Sequence, residues 1–268
     1  MPRIYLPGIA IKNNKLTITG EKARYLVSVL RFRKGEELTV FDGTGICLRV
    51  MISRADRREV IAEVTEEIPC DTESHINIAF VQGILKGEKM DMVIQKTTEL
   101  GVKEIIPVIT ERSQLRETRK TARWRRIAEE ASRQSGRSRV PVIRDPVKFK
   151  EFFSEQTFMN YPPQSPLTKG GIEGRGLIFY EEGGMNLSEA VLRVRMHDTG
   201  YTMQDKRNHA SPPIYVVIGP EGGFTKEEVT LAKEKGLLVT SLGNRILRAE
   251  TAAISALTLV QFLLGDMG

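Results

Sequence analysis

The stretch LLVTSLGNRILRAETAAISALTLVQFLL, Leu237 to Leu264, contains a strand, a loop and a helix in 28 residues. Leu237–Leu242 is an apolar run of strand character, and Gly243 stops it. From Ala249 onward the apolar residues follow a helical pattern as far as Leu264. Between the two lie Asn244, Arg245, Arg248 and Glu250. A connection this short between a buried strand and a buried helix gains no packing from two cations and a carboxylate. Local chemistry that runs against folding logic marks a candidate site.

The same alternation of strand and helix recurs upstream. Ile76–Val81 precedes a helix over Glu88–Leu100, with Met90, Val93, Ile94 and Thr97 on one face and Gly101 as its stop. Glu104–Ile109 precedes a long helix around Thr118–Ser135, where Trp124, Ile127, Ala128 and Ala131 share a face. Trp124 reads as a core residue rather than a stacking platform. Leu177–Tyr180 precedes Leu187–Val194, and Ile214–Ile218 precedes Lys226–Lys235. Repeated alternation of this kind predicts a parallel, doubly wound α/β domain. Residues 157–176 and 196–213 are polar or rich in Pro and Gly, carry no period, and read as loop insertions.

Residues 1–70 have a different rhythm. Short strands are expected at Arg3–Ala10, Lys15–Thr19, Glu37–Phe41, Ile46–Ile52 and Val60–Val64, with an Asp42-Gly43 turn. One short helix is expected over Glu21–Leu30, striped by Ala23, Leu26, Val27 and Leu30. This pattern predicts a small β-barrel-like domain, with a boundary at Pro69–Ser74 and the α/β domain over 74–268.

Composition narrows the function classes. A hydrophobic content of 40% supports a packed core. No apolar run reaches the length of a membrane span, and the N-terminus lacks the apolar core of a signal peptide. Cys47 and Cys70 fit a reducing compartment better than a disulfide scaffold, and the three histidines offer no metal-ligand spacing, so no metal is expected. The net charge is +6. Between Arg112 and Lys150 there are 13 Lys and Arg against 4 Asp and Glu, a local +9 that points to a polyanion partner or a solvated helix face.

In an open parallel sheet, ligands bind beyond the carboxyl ends of the strands. Three such ends are unusual here: Tyr180-Glu181-Glu182-Gly183-Gly184, Ile218-Gly219-Pro220-Glu221-Gly222-Gly223-Phe224, and the loop after Leu242. The second lacks the lysine and hydroxyl of a P-loop and the spacing of a dinucleotide fingerprint. Its glycines are expected to let a ligand approach the backbone. Thr225 and Glu228 form a capping box for the next helix.

Together, QGILKGEKMDMVIQKTTELGVKEIIPVITERS, RWRRIAEEASRQSGRSRVP, IGPEGGFTKEEV and LGNRILRAETAAISAL carry a resemblance, extended by LVSVLRFRKGEELTVFDGTG near the N-terminus. They resemble the 16S rRNA (uracil-N3)-methyltransferase family, RsmE, of the SPOUT class. The resemblance implies an α/β domain with a C-terminal trefoil knot, preceded by a PUA-like β-barrel that helps hold RNA. It implies a cytoplasmic homodimer acting on 16S rRNA or the small ribosomal subunit. S-adenosylmethionine would lie against the three strand-end loops. Tyr180 and Glu181 would serve from the first, Ile218, Gly219, Pro220, Glu221 and Gly222 from the second, and Leu242, Gly243, Ile246 and Leu247 from the third. Arg248 would stabilise charge on the target base, and Glu250 would orient it or act as base, unless these two residues simply pair with each other. Arg31, Arg112, Arg123, Arg126, Arg133, Arg137 and Arg139 would contact RNA. The alternative is a non-catalytic RNA-binding module of the same fold, which would lack affinity for S-adenosylmethionine.

Overall fold

The computed structural model describes residues 2–115, 118–154, 176–198 and 213–268. The chain forms two compact units, Met1–Glu73 with Glu129–Val140, and Ser74–Ala128 with Pro141–Gly268. The sequence pattern assigned 129–140 to the α/β domain; its contacts join it to the first unit instead.

In the first unit a six-stranded sheet has the order β1-β4-β5-β6-β3-β2. Its strands are β1 Arg3–Tyr5, β2 Ile11–Lys12, β3 Lys15–Thr19, β4 Glu37–Phe41, β5 Cys47–Ala55 and β6 Glu59–Glu67. All neighbours are antiparallel except β1 and β4. Alternation along β3 sends Leu16 and Ile18 inward, where they join Val40, Val50, Ile52 and Val60 in one core. The expected helix over Glu21–Leu30 is α1, Gly20–Arg24, followed by a π-helical turn over Tyr25–Val29. Ala23 and Leu26 are buried as the stripe predicts, but the wider turn rotates Leu30 into solvent. Arg31 follows with a left-handed φ of 59°.

The expectation of unpaired cysteines is overturned. Cys47 opens β5, Cys70 follows β6, and the β5–β6 pairing returns the chain so that their Cα atoms are 6.3 Å apart in a disulfide. Just beyond, the Glu73 carboxylate accepts hydrogen bonds from the Arg137 guanidinium at 2.8 Å and from the N–H groups of Ser138 at 3.0 Å and Arg139 at 2.9 Å. Arg137 is 2% exposed and paired with Glu73, so the expectation that it contacts RNA is corrected: its guanidinium is buried in a structural ion pair.

The second unit is an eight-stranded sheet in which every pairing is parallel. Its strands are β7 Ile78–Gly83, β8 Glu104–Ile109, β9 Val142–Ile143, β10 Val147–Lys148, β11 Gly176–Phe179, β12 Met185–Asn186, β13 Ile214–Ile218 and β14 Leu237–Ser241. The order is β10-β8-β7-β13-β11-β14-β12, with β9 also paired to β8. All six residues of β7 are buried, as in a sheet covered on both faces. Among the described residues the helices that follow are α2 Glu88–Glu99, α3 Thr121–Gln134 (whose residues from Glu129 belong to the first unit), α4 Phe149–Phe152, α5 Leu187–Asp198, α6 Lys226–Glu234 and α7 Ala249–Leu264. Met90, Val93, Ile94 and Thr97 of α2 are buried, as is Trp124 of α3. The expected insertions fall outside the described residues except for Gly176, which opens β11, residues 196–198, which end α5, and Pro213. No helix among the described residues is long and apolar enough to cross a membrane.

Gln261 shows how α7 is fixed. It is fully buried in a mostly apolar helix, donating to the Leu100 carbonyl at 2.7 Å and accepting from Ser74 Oγ at 2.8 Å.

Burial would raise the Glu73 pKa, but the hydrogen bond and charge of Arg137, with the N–H groups of Arg139 and Ser138, hold it below its ordinary 4.5. A depressed carboxylate contributes stability that is present above the unfolded value and is lost as pH falls through the folded one. Glu73→Gln should therefore cost about 3 kcal/mol at pH 7 and flatten the loss of melting temperature below pH 4.5. Wild-type and variant melting curves that stay parallel through that range would contradict this.

Candidate functional site

The order β13-β11-β14 sets three strand ends side by side, so the loops that follow them converge. They enclose a cavity of about 640 Å³, a size suited to a small-molecule ligand. Every residue assigned above to the cofactor lines it, as do Arg248 and Glu250. Gly183, Gly184 and Asn186 complete the first loop's side, and Lys89 of α2 reaches in from outside the three loops.

The loop after β13 is held by the end of β7. Gln82 is fully buried, and its Nε2 donates to the carbonyls of Gly219 at 3.0 Å and Gly83 at 2.8 Å. Gly83 lies so close to Pro220 that an added Cβ would sit 2.4 Å from the proline nitrogen. Glu221 Oε1 accepts from the Lys86 N–H at 3.0 Å. The glycines of this loop serve packing as much as ligand approach, which revises the expectation from sequence. A Cβ on Gly219 would meet the Phe224 ring at 3.2 Å, one on Gly222 would meet Arg112 Cβ at 3.0 Å, and one on Gly223 would meet Glu181 Oε1 at 2.6 Å. The capping box forms as expected: Thr225 Oγ1 accepts from Glu228 N at 3.2 Å, and Glu228 Oε2 accepts from Thr225 N at 2.9 Å. The other Glu228 oxygen accepts from Glu111 N at 2.9 Å, tying the loop after β8 to the start of α6.

On the third side, Ser241 Oγ accepts from Gly243 N at 3.1 Å and turns the chain out of β14. Arg248 is the N-cap of α7 in extended backbone, and its carbonyl accepts from Ala252 N at 2.8 Å. Its side chain is exposed and has neither ion pair nor hydrogen bond among the described residues. Glu250 occupies the first turn of α7, where the helix dipole favours a carboxylate. The two do not pair with each other. The cation nearest Glu250 is Lys89, whose Nζ lies 3.9 Å from Glu250 Oε2 and 3.6 Å from Glu221 Oε1. The Oε2 atoms of Glu221 and Glu250 are buried without a hydrogen-bond partner. Such atoms in a cavity wall are acceptors for a ligand's N–H or O–H groups. Burial, and then the charges of Glu182 and Glu181, hold the Tyr180 phenol above its usual range, so it remains a protonated donor.

Lys89 and Gln82 went unassigned in the sequence. The signal for Lys89 was present: a cation in the first turn of a helix opposes the dipole and needs an anion elsewhere to justify it. The arginines assigned to RNA divide. Arg112, Arg126 and Arg139 are exposed, as is Arg31. Arg123 pairs with Asp91 at 2.8 Å and Arg133 is paired with Glu130, both in half-exposed contacts of small stabilising value. Arg112 also donates to the Gly222 carbonyl at 3.2 Å.

An RNA methyltransferase domain family matches residues 72–261, and an RNA methyltransferase PUA domain family matches 18–65. A Synechocystis protein, ribosomal RNA small subunit methyltransferase E, is 31% identical over 250 residues, covering 93% of this chain and 73% of its own. The chain belongs to this family. The Bacillus subtilis protein of the same name is 27% identical, covering 92% of this chain and 89% of its own. Among solved structures, the Neisseria gonorrhoeae ribosomal RNA small subunit methyltransferase E bound to S-adenosyl methionine matches with a TM-score of 0.80 and 33% identity over the whole of both chains. A Legionella pneumophila protein in complex with the same cofactor matches with a TM-score of 0.77 and 33% identity over 98% of each chain.

Because the obstacle at Gly83 is the backbone of Pro220, Gly83→Ala must displace the loop after β13. It should cost about 1 to 3 kcal/mol by overpacking. Thermal unfolding reads this directly, and an unchanged melting temperature would show that the two backbones can part at no cost.

Proposed function

We propose that this protein transfers a methyl group from S-adenosylmethionine to N3 of a uridine in 16S rRNA of the small ribosomal subunit. The observation that carries the reading is the composition of the cavity wall. Three glycine-containing strand-end loops supply backbone groups, Arg248, unpaired among the described residues, supplies a cation, and two buried carboxylate oxygens lack partners there. Relatives of 33% identity that match over nearly the whole chain are structures with S-adenosylmethionine bound.

The residues present fit that cofactor. Its amino and hydroxyl groups need acceptors, one of which the orphaned oxygen of Glu221 offers, and the loops at 180–184, 218–223 and 242–247 would hold it. When bound, it supplies a methyl group activated by a positively charged sulfur. The chain's own residues must manage the base. N3 of uracil carries a proton and lies on the Watson–Crick edge, so the base has to be unpaired or flipped outward. Arg248 stabilises the negative charge that develops as the proton leaves, and Glu250 orients the base or takes the proton.

RNA phosphates are assigned to Arg31, Arg112, Arg126 and Arg139, with Arg123 and Arg133 available by exchange from weak surface pairs. A second copy of the chain is the proposed cover for the exposed apolar end of α7, where Phe262 is 57% exposed and Leu259, Leu263 and Met267 lie near it in sequence. The knot implied by the family is supported by β11 lying between the later strands β13 and β14. An rRNA substrate fits a cytoplasmic location.

Incubation with labelled S-adenosylmethionine and unmodified 16S rRNA or small subunits should label one uridine. Arg248→Ala should lower turnover by about 100-fold or more, with melting temperature and cofactor affinity near wild type. Activity retained in the variant would remove Arg248 from its role, and wild-type protein that neither binds the cofactor nor labels either substrate would sink the whole reading.

A further inference from the structure

Lys89 is the second residue of α2 and takes no part in the handling of the base by Arg248 and Glu250. Its side chain is 42% exposed and lines the cavity. Its ammonium lies 3.6 Å from Glu221 Oε1 and 3.9 Å from Glu250 Oε2, too far to donate a hydrogen bond to either. Both carboxylates are largely withdrawn from water, with side chains 19% and 14% exposed. Each keeps one buried oxygen without a partner. Glu221 comes from the loop after β13, and Glu250 from the first turn of α7. Two anions brought together from distant parts of the chain, in a wall with little water, repel unless a cation stands between them. Lys89 is that cation.

Its position in the helix argues the same way. A lysine at the start of α2 faces the positive end of the dipole, so α2 itself does not favour it. Lys89 Nζ has no ion pair among the described residues other than these two. Attraction without fixed hydrogen bonds also leaves the carboxylates' remaining lone pairs open toward the cavity.

We propose that Lys89 is a positioning residue for methyl transfer, holding Glu250 in register with Glu221 so that Glu250 meets the target base. This rests on the reading of the cavity as an RNA methylation site. Lys89 makes and breaks no bond.

The test compares wild type with Lys89→Met and Lys89→Arg. Methyl transfer to 16S rRNA, S-adenosylmethionine affinity by calorimetry and melting temperature are measured for each. Lys89→Met is expected to lower kcat by about 10- to 100-fold, the scale of a misplaced reacting group. Cofactor Kd should stay within about threefold, since the loss is of geometry at the base and not of binding. Lys89→Arg should restore most of the rate, because its guanidinium keeps a cation between the two carboxylates. A Lys89→Met enzyme within twofold of wild type overturns the proposal. So does a loss of rate matched by an equal loss of cofactor affinity or of folding. Should wild type bind the cofactor yet label no RNA, the functional reading fails and the lysine is decided by crystals of wild type and Lys89→Met. A Glu250 carboxylate shifted by about 1 Å or more supports the positioning role, and one that keeps its place overturns it.

Discussion

The contact between Gly83 and Pro220 is the constraint on which the site depends. It presses the loop after β13 onto the end of β7, where Gln82 binds the Gly219 carbonyl from a fully buried position. No side chain at 83 allows that approach. Once the loop is fixed, Glu221 reaches the Lys86 N–H, and α6 can start at Thr225 with its capping box closed by Glu228. The cavity is therefore a consequence of sheet order. β11, β13 and β14 stand together, and β7 supplies the floor that keeps one of their loops rigid.

Charge in the site is arranged around helix starts. Glu250 lies in the first turn of α7, and Glu221 caps the approach to α2. Each carboxylate gains from a dipole, and each loses water. Lys89 offsets the remaining repulsion, which leaves Arg248 without an anionic partner among the described residues. An arginine with no partner at the mouth of a cavity lined by carboxylates is available for a negative charge that arrives with, or develops on, a ligand.

The basic segment from Arg112 to Lys150 is less uniform than its net charge suggests. Arg137 is part of the first unit's interior, locked to Glu73. Arg125 is paired with Asp145, and Arg133 is paired with Glu130. A polyanion would meet the remaining exposed guanidinium groups first, since weak surface pairs yield only by exchange.

The amino-acid sequence determined the features that depend on neighbours a few residues away. Strand and helix alternation, the α2 stripe, burial of Trp124 and the Thr225–Glu228 box all follow from periodicity and local capping, and the three strand-end loops stood out because their residues violate that periodicity. Short pieces such as β9, β10, β12 and α4 escaped, because two to four residues carry no period. Only the tertiary structure decided what residues far apart in the chain do to one another. It joined Cys47 to Cys70, buried Arg137, turned the glycines at 219, 222 and 223 toward Phe224, Arg112 and Glu181, and set Lys89 between Glu221 and Glu250. Between β14 and α7, the odd residues of the connecting loop announced a site. Which cation faces Glu250 was settled by α2, more than 150 residues upstream, because charges pair by distance in space and the chain's order does not encode it.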